Sequence, residues 1–551
     1  MGGQRPAAAG RAATYSAQFL KIKAQAEGGV AAAQHSLGFL YFNGDGVPQS
    51  YELALAWYRQ AANAGLAHAQ YNLGVMYQKG LGVDADLAEA AHWYRLAAQQ
   101  GYAAAQYNLG WLYAKGQGIA ADPAQARHWF ELAAEQGDAG AQNNLAMMYD
   151  TGKGVPQDVV QAGAWYRKAA EQGYARAQFN LALRYDSGQG VARDPQQAVM
   201  WFRRAAEQGH APAQFNLALR YDKGDAIEAD AAQAVHWYRA AAQQNHVSSQ
   251  FNLALVLDNG PAALRDEAQA TGWYRRAAEQ GHAAAQHNLG QRCELGQGTP
   301  RDMAAAAHWY LKAAEQDFPS AQYQLGQLHE AGNGVPRDAA EVLAWYRKAA
   351  GQGHLRAQFD LALRCETGQC AGEAMPVDLH EALHWYRRAA DQDYTPAQYN
   401  LGQLHDRDDG PAPDVLQANG WYRKAAEGGH ALAQFTLALR YDNGLGIPRD
   451  FALAFGWYLK AALQGHSRAQ LNVGLMYFAG QGTPRDMAQA HQWLQLAARA
   501  DEPGAARYLR DAAARLPSVQ PATAQPVSTL GSTPKSDTAS AVIAGAGGAS
   551  G

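Results

Sequence analysis

Across 551 residues, 46 Lys+Arg stand against 50 Asp+Glu for a formal net charge of −4, which leaves no strongly basic face or stripe of the kind nucleic-acid binding requires. No run comes near the roughly 18 consecutive apolar residues of a membrane span, and the opening MGGQRPAAAGRAATYS lacks the apolar core of a secretory leader. A soluble, cytoplasmic protein is expected, with export by a signal-free route left open.

Residues 1–14 read as a disordered N-terminus. Residues 15–30, YSAQFLKIKAQAEGGV, keep the register of a helix that recurs downstream, but carry Lys21 where Trp stands later and close at Gly29. They predict an N-terminal capping helix with a polar outer side. From there 13 of the 14 tryptophans fall in one register, Trp57, Trp93, Trp129, Trp165, Trp201, Trp237, Trp273, Trp309, Trp345, Trp385, Trp421, Trp457 and Trp493, at steps of 36 residues except for 40 between Trp345 and Trp385. A fixed period of this length means that one small unit, unable to bury its apolar face alone, is stacked many times over. Thirteen units fill residues 31–502.

In the stretch from Ala69 to Gln100, Ala69, Leu73 and Tyr77 lie at i, i+4 and i+8, one face of a first helix, A. Gly74 sits beside Leu73, and the same place is Gly or Ala in all 13 units, so helix A must pack closely on something. Helix A stops at Gly80. The Gly-rich stretches that follow, such as Gly46 to Pro48, are turns and not phosphate cradles, because a nucleotide loop needs a preceding strand and none is expected. Helix B starts at an Asp seven residues before each Trp, from Asp86 to Asp486, with Ser50 in the first unit. Both residue types are strong N-caps, worth about 1 kcal/mol over Ala. Ala90, Tyr94, Ala97 and Ala98 line the packed face of helix B, and the Trp-Tyr pair is expected to fill the volume between layers. Helix B closes eight residues after the Trp in Gly nine times, and otherwise in Asn245, Asp317, Asp393 and Asp501. Asn and Asp are the side chains that best tolerate left-handed backbone after Gly.

The recurring pattern A-Q-Y-N-L-G-x-x-Y-x-x-G-x-G-V-x-x-D…A-x-x-W-Y-R-x-A-A-E-Q-G resembles the Sel-1-like repeat family, a tetratricopeptide-like arrangement, over residues 31–502. The resemblance implies an all-α, right-handed superhelical solenoid of about 13 helix-turn-helix repeats. It also implies an adaptor or scaffold role in protein complexes, in bacteria in signalling, envelope or host-interaction settings, without catalysis. Some cysteine-rich relatives are described as β-lactamase-like, which gives the alternative: a cell-wall or peptide hydrolase, β-lactamase-like or zinc-dependent. Those relatives pair cysteines within each repeat; this chain has only Cys293, Cys365 and Cys370, and no S-x-x-K motif.

The 40-residue step reflects four extra residues near Cys370 to Met375, a loop insertion that is cheap to tolerate and reads as either neutral or a binding loop. Cys365 and Cys370 are near enough in sequence to bridge, yet free thiols are expected in a reducing compartment. His380-Glu381-Ala382-Leu383-His384 spells H-E-x-x-H, with two His on one helical face and Glu381 as general base of a zinc hydrolase. The repeat accounts for nearly all of it, since His before Trp recurs at His92, His128, His236 and His308. No third ligand follows, and neither metal nor cofactor is expected. His210, His246, His282, His354, His430 and His466 recur in the inter-unit turn and read as solvated. Residues 503–516 resemble a degraded helix A and predict a C-terminal capping helix; the Ser-, Thr-, Ala-, Gly- and Pro-rich residues 517–551 predict a disordered tail.

If helix A lines the inner, concave surface, positions one, five and eight residues after the recurrent Gln (Gln34, Gln70, Gln106 and onward) face inward. They hold His35, Phe39 and Phe42, then Tyr71 and Val75, then Tyr107 and Trp111, the one Trp out of register. An aromatic patch on a groove is an anchor for a peptide or a partner helix. From the fourth unit the last of these positions is acidic: Asp150, Asp186, Asp222, Asp258, Glu294, Glu330, Glu366, Asp406 and Asp442. Two readings are open. Arg184, Arg220, Arg292, Arg364 and Arg440 would neutralise the acids of neighbouring units, or the acids would receive a basic partner segment. The expectation is a non-enzymatic scaffold whose groove holds a protein or peptide partner through these aromatic and acidic residues.

Overall fold

A computed structural model describes residues 17–515. The disorder expected for residues 1–14 and 517–551 lies outside the described residues, as do residues 15, 16 and 516 of the expected caps. Among the described residues are 28 α-helices, one 3-10 turn at Ala262–Leu264 and one hairpin of two-residue strands, Gln369–Cys370 with Glu373–Ala374. The hairpin sits in the inserted loop, where Ala371 and Gly372 take left-handed backbone (φ 52° and 83°), the pair of positive φ angles that a tight two-residue turn needs. No strand was expected there; the insertion makes its own.

The chain divides into two compact bodies, one ending at Trp345 and the other starting at Tyr346. Within each, helix A packs on helix B of its own repeat, and helix B on helix A of the next. In repeat 2 these helices are Ala67–Lys79 and Leu87–Gln99. Capping follows the expected chemistry. The Asp86 carboxylate accepts the backbone N–H groups of Ala88 and Glu89, and the Ser50 hydroxyl accepts that of Leu53. Asn245, Asp317, Asp393 and Asp501 take positive φ, between 53° and 63°, where other repeats use Gly. Before the first repeat lies Ala17–Glu27, and after the last Ala505–Ala513.

The small residue in helix A has a definite cause. A Cβ on Gly74 would stand 2.7 Å from the Tyr94 ring of its own helix B, and one on Gly110 would stand 2.9 Å from Phe130. In the second body Gly402 meets Tyr422 in the same way at 2.8 Å. The residue after each Trp, a ring in every repeat but the last, where it is Leu494, is therefore the central core residue. Tyr58, Tyr94, Phe130, Phe202, Tyr238, Tyr274 and Tyr310 in the first body, and Tyr386, Tyr422 and Tyr458 in the second, are at most 2% exposed.

The tryptophans correct the expectation that both rings fill the interior. Trp93, Trp165, Trp237 and Trp457 are only half-buried, while Trp129, Trp201, Trp345 and Trp421 are buried, and in several repeats a Lys or Arg three residues on lies over the ring. Lys168 lies 3.9 Å from the Trp165 ring centre, Arg204 4.6 Å from Trp201 and Lys460 3.8 Å from Trp457. An indole too large for the gap left by two Ala-lined helices lies across the seam, and the aliphatic stem of the basic residue closes over it.

A buried glutamine ties the layers together. The Nε2 of Gln70 donates to the Ala62 carbonyl in the last turn of the preceding helix B (3.2 Å), and its Oε1 accepts from Nε2 of Gln100, which closes its own helix B (2.7 Å). The same pair of bonds recurs through Gln106, Gln142, Gln178, Gln214, Gln250 and Gln286 in the first body, and through Gln358 and Gln434 in the second. Each amide donates to a last-turn carbonyl that already accepts one backbone N–H, as Ala62 does from Gly65 at 3.0 Å, and fills its second lone pair, so the buried amide is satisfied.

Truncating the core ring, Tyr94→Ala, is expected to cost about 3–5 kcal/mol, and Trp93→Ala roughly half of that because one face of the indole already meets solvent. Native-state hydrogen exchange should place the loss in repeats 1–3, since coupling is mainly between neighbours. Equal penalties for the two variants, or equal loss of protection along the chain, would contradict this assignment.

Candidate functional site

On the helix-A face the inter-repeat junctions that hold a Tyr after the Trp carry a polar node centred on it. Its hydroxyl donates to the acid at the end of helix A in the same repeat: Tyr238 to Asp222 (3.3 Å), Tyr274 to Asp258 (3.3 Å) and Tyr310 to Glu294 (2.8 Å). In the second body Tyr386 donates to Glu366 (2.8 Å) and Tyr458 to Asp442 (3.4 Å). The Asn two places after the recurrent Gln reaches back from the next repeat, Asn252 Nδ2 to the Tyr238 hydroxyl (3.5 Å) and Asn400 Nδ2 to that of Tyr386 (3.0 Å). Burial, with the adjacent carboxylate, holds these phenols protonated far above their ordinary range.

The node decides the fate of the acidic run. Arg184 pairs with Asp150, Arg220 with Asp186 and also Asp225, and Arg292 with Asp258; Arg440 pairs with Asp406 in the second body. Each guanidinium is largely buried and spans one repeat to reach the acid before it. Local neutralisation therefore holds for these four acids. Asp222, Glu294 and Asp442 meet only a Tyr hydroxyl with their carboxylates, because the next repeat offers Val256, Leu328 and Met476 in the Arg position. From repeat 6 onward that position alternates, Arg220, Val256, Arg292, Leu328, Arg364, Leu404, Arg440, Met476. Glu330 is half-buried at the end of its helix A.

The aromatic candidates are gathered in repeats 1–3. Phe39 is 48% exposed, and with Phe42, Tyr58, Asn72 and Val75 it lines a hollow of about 80 Å³. The His35 ring meets the Asn72 amide at 3.0 Å, and burial lowers its pKa. Tyr71 packs on Tyr94 and Tyr102 (centroids 5.9 and 5.0 Å), Tyr107 on Phe130 (6.0 Å), and Trp111 is half-buried next to them. The position of Phe39 and Trp111 stays apolar for four more repeats, at Met147 (48% exposed), Leu183 (39% exposed), Leu219 and Leu255. The sequence carried this signal five residues after every Gln; attention to aromatics alone passed over it.

The zinc-like motif is taken apart by its neighbours. Glu381 accepts two hydrogen bonds from the Arg347 guanidinium, both 2.9 Å, and one from Trp385 Nε1 at 3.3 Å. The Arg347 fork holds its carboxyl down at about 2, so it has no basicity for proton abstraction near neutrality. The nearby Cys365 thiol is pushed up to about 12 by burial and by Glu381. His380 and His384 are exposed, and among the described residues no group of three or more His, Cys, Asp or Glu is placed to hold a metal. Cys293, Cys365 and Cys370 are buried and unbridged. In the second body Glu366, Gln403, Asp406, Arg407 and Tyr422 line a shallow hollow of about 260 Å³, its Arg407 held by Asp409 through two bonds of 3.1 Å.

The turn histidines are half-buried rather than freely solvated. Each is the N-cap of a helix A. Nδ1 accepts the third helical N–H, from Ala213 to His210 (3.3 Å), from Ala285 to His282 (3.2 Å) and from Ala469 to His466 (3.1 Å). The rings stack on an aromatic of the preceding repeat, His282 on Phe251 at 4.5 Å and His466 on Phe435 at 4.4 Å. Neutral imidazole serves as the acceptor, and burial lowers the pKa at His210, His246, His282, His430 and His466.

Antiparallel helix pairs, repeated with one junction geometry, define an α-helical repeat protein of the tetratricopeptide-like class. The Sel1 repeat model matches 13 consecutive segments from 31–66 to 467–502, and the chain belongs to the Sel1 repeat family. Among solved structures it is similar to a protective antigen of uropathogenic Escherichia coli strains displaying an SLR fold (30% identity, TM-score 0.60, covering 93% of this chain and 100% of that one). A Sel1 repeat protein from Oxalobacter formigenes also matches (30% identity, TM-score 0.45, covering 60% of this chain and 97% of that one). No match was found among curated proteins.

The histidine caps set a pH dependence. Their folded-state pKa values lie below the ordinary 6.5, so the unfolded chain takes up protons first; the stability they give is present above that value and lost as pH falls through the folded values. Urea midpoints are expected to drop between about pH 7.5 and pH 5.5, and to drop less in His210→Asn/His246→Asn/His282→Asn, which keeps a capping side chain without a titrating one. An unchanged pH response in the triple variant would rule the caps out as its source.

Proposed function

We propose that this chain is a non-enzymatic scaffold that holds one or more protein partners on its helix-A face. The observation that carries the reading is the apolar row at one helix-A position, with Phe39 and Met147 48% and Leu183 39% exposed, aligned at the same place from repeat to repeat. A row of that kind favours a protein or peptide ligand over a small polar substrate. Membership of the Sel1 repeat family, whose repeats generally serve as protein-interaction scaffolds, supports it. The hydrolase alternative has no support: its candidate base is locked in an ion pair and its thiols are buried.

A second reading, a basic partner segment, is favoured by one observation, the open carboxylates of Asp222, Glu294 and Asp442. We also infer a cytoplasmic setting, supported by the three unbridged, buried thiols; fractionation of the source cell checks it. Among the described residues no helix is long and apolar enough to cross a membrane.

Partner capture by the intact chain should fall about tenfold or more in Phe39→Asp/Met147→Asp/Leu183→Asp with the circular dichroism spectrum unchanged. Capture that resists this triple change but is lost in Asp222→Asn/Glu294→Gln/Asp442→Asn would favour the basic segment, and capture indifferent to both would remove the helix-A face from consideration.

A further inference from the structure

We infer that the helix-A face of repeats 1–3 receives an acidic, amphipathic helical segment that presents an apolar side chain at every seventh residue. This rests on the scaffold reading and names the partner's chemistry at that end of the face. Three observations meet there. The first is the apolar row itself. Phe39, Val75 and Trp111 hold equivalent places in consecutive helices A, and the hollow of about 80 Å³ beside Phe39 and Val75 exceeds the roughly 30 Å³ share of one water. It admits the end of an aliphatic side chain.

The second is charge. Helices Ala31–Asn43, Ala67–Lys79 and Ala103–Lys115 contain no Asp or Glu. Two of them end in an exposed lysine, Lys79 and Lys115, four residues after Val75 and Trp111 and so on the same side of the helix. Among the described residues neither ammonium is in an ion pair. From repeat 4 onward the helix ends carry Asp150, Asp186, Asp222 and Asp258 instead. A carboxylate-bearing segment is therefore attracted to the two lysines of repeats 2 and 3, whereas beyond them Asp150, Asp186 and Asp258 are already paired with arginines and Asp222 stands open.

The third is spacing. Consecutive helices A touch, with the Asn72 amide 3.0 Å from the His35 ring, which sets their axes roughly 8–10 Å apart. Seven residues of helix advance about 10.5 Å. One apolar side chain per heptad thus meets one row residue per repeat, and Glu beside the second and third meets Lys79 and Lys115.

The test uses the full chain and two labelled peptides of about 22 residues, Ala-rich with Leu at every seventh position, one with Glu and one with Lys flanking each Leu. By fluorescence anisotropy at low salt the Glu peptide should bind about tenfold or more tightly than the Lys peptide, and Lys79→Glu/Lys115→Glu should reverse that order. Phe39→Asp/Val75→Asp should abolish binding of both. Equal affinity for the two peptides, an order unchanged by the lysine reversal, or no binding of either would overturn the inference, as would self-association of the chain lost in Phe39→Asp/Val75→Asp. If both peptides bind equally and both are lost in that double variant, the scaffold reading stands and the acidic partner falls; binding that survives it removes both.

Discussion

Everything in this fold hangs on a side-chain amide placed where three helices end or begin. The recurrent Gln donates to a last-turn carbonyl of the preceding helix B, which already accepts one backbone N–H, and accepts from the Gln that closes its own. A buried amide must find partners, and here that demand sets where the next layer sits. The inserted loop makes the point. In repeat 10 the bond from Gln392 to Gln358 persists at 2.8 Å although four extra residues lie between the two helices. The insertion folds into its own hairpin and leaves the frame alone. Gly428 stands where Gln would close repeat 11, so that rung is missing.

Around this frame, size sorts the aromatics. The Tyr ring goes inward because Gly or Ala opposite leaves room for six atoms and no more, and its hydroxyl emerges on the helix-A face. The indole lies nearer the surface, half-buried in some repeats, and in many of them under a Lys or Arg. A phenol is thus both core and surface, and its polar end gathers an Asn, a carboxylate and, in half of the later repeats, a guanidinium. The acids that looked like a ligand stripe are for the most part the local partners of these groups.

Fold, caps and helix ends were legible because each follows from one residue type with one conformational preference. Asp before a helix and Gly, Asn or Asp after it say the same thing in every repeat. Three things were not legible. The depth of Trp against Tyr depends on which side of helix B meets the seam, and two adjacent rings do not announce that. The Gln pair joins residues 30 apart in most repeats, beyond the reach of helical periodicity. The turn histidines read as solvated because a capping imidazole looks like any exposed one until its aromatic neighbour is placed. The candidate face was only half read: Phe39 and Trp111 drew notice as aromatics, while Met147 and Leu183 continue the row in aliphatic form.

The alternation of Arg with Val, Leu or Met has a consequence for how such an array can change length. Even-numbered repeats from repeat 6 carry Arg at this position and odd-numbered ones an aliphatic residue, with Arg407 of repeat 11 reaching Glu366 at 3.9 Å from another place in its repeat; Asn245, Asp317 and Asp393 mark repeats 6, 8 and 10 in the same way at their helix ends. Electrically the unit of inheritance is a cassette of two repeats. Removing or duplicating a cassette leaves every guanidinium opposite its carboxylate. Losing a single even repeat sets two open carboxylates side by side, and losing an odd one erases an open site. Recombination between neighbouring repeats is thus not neutral to the surface.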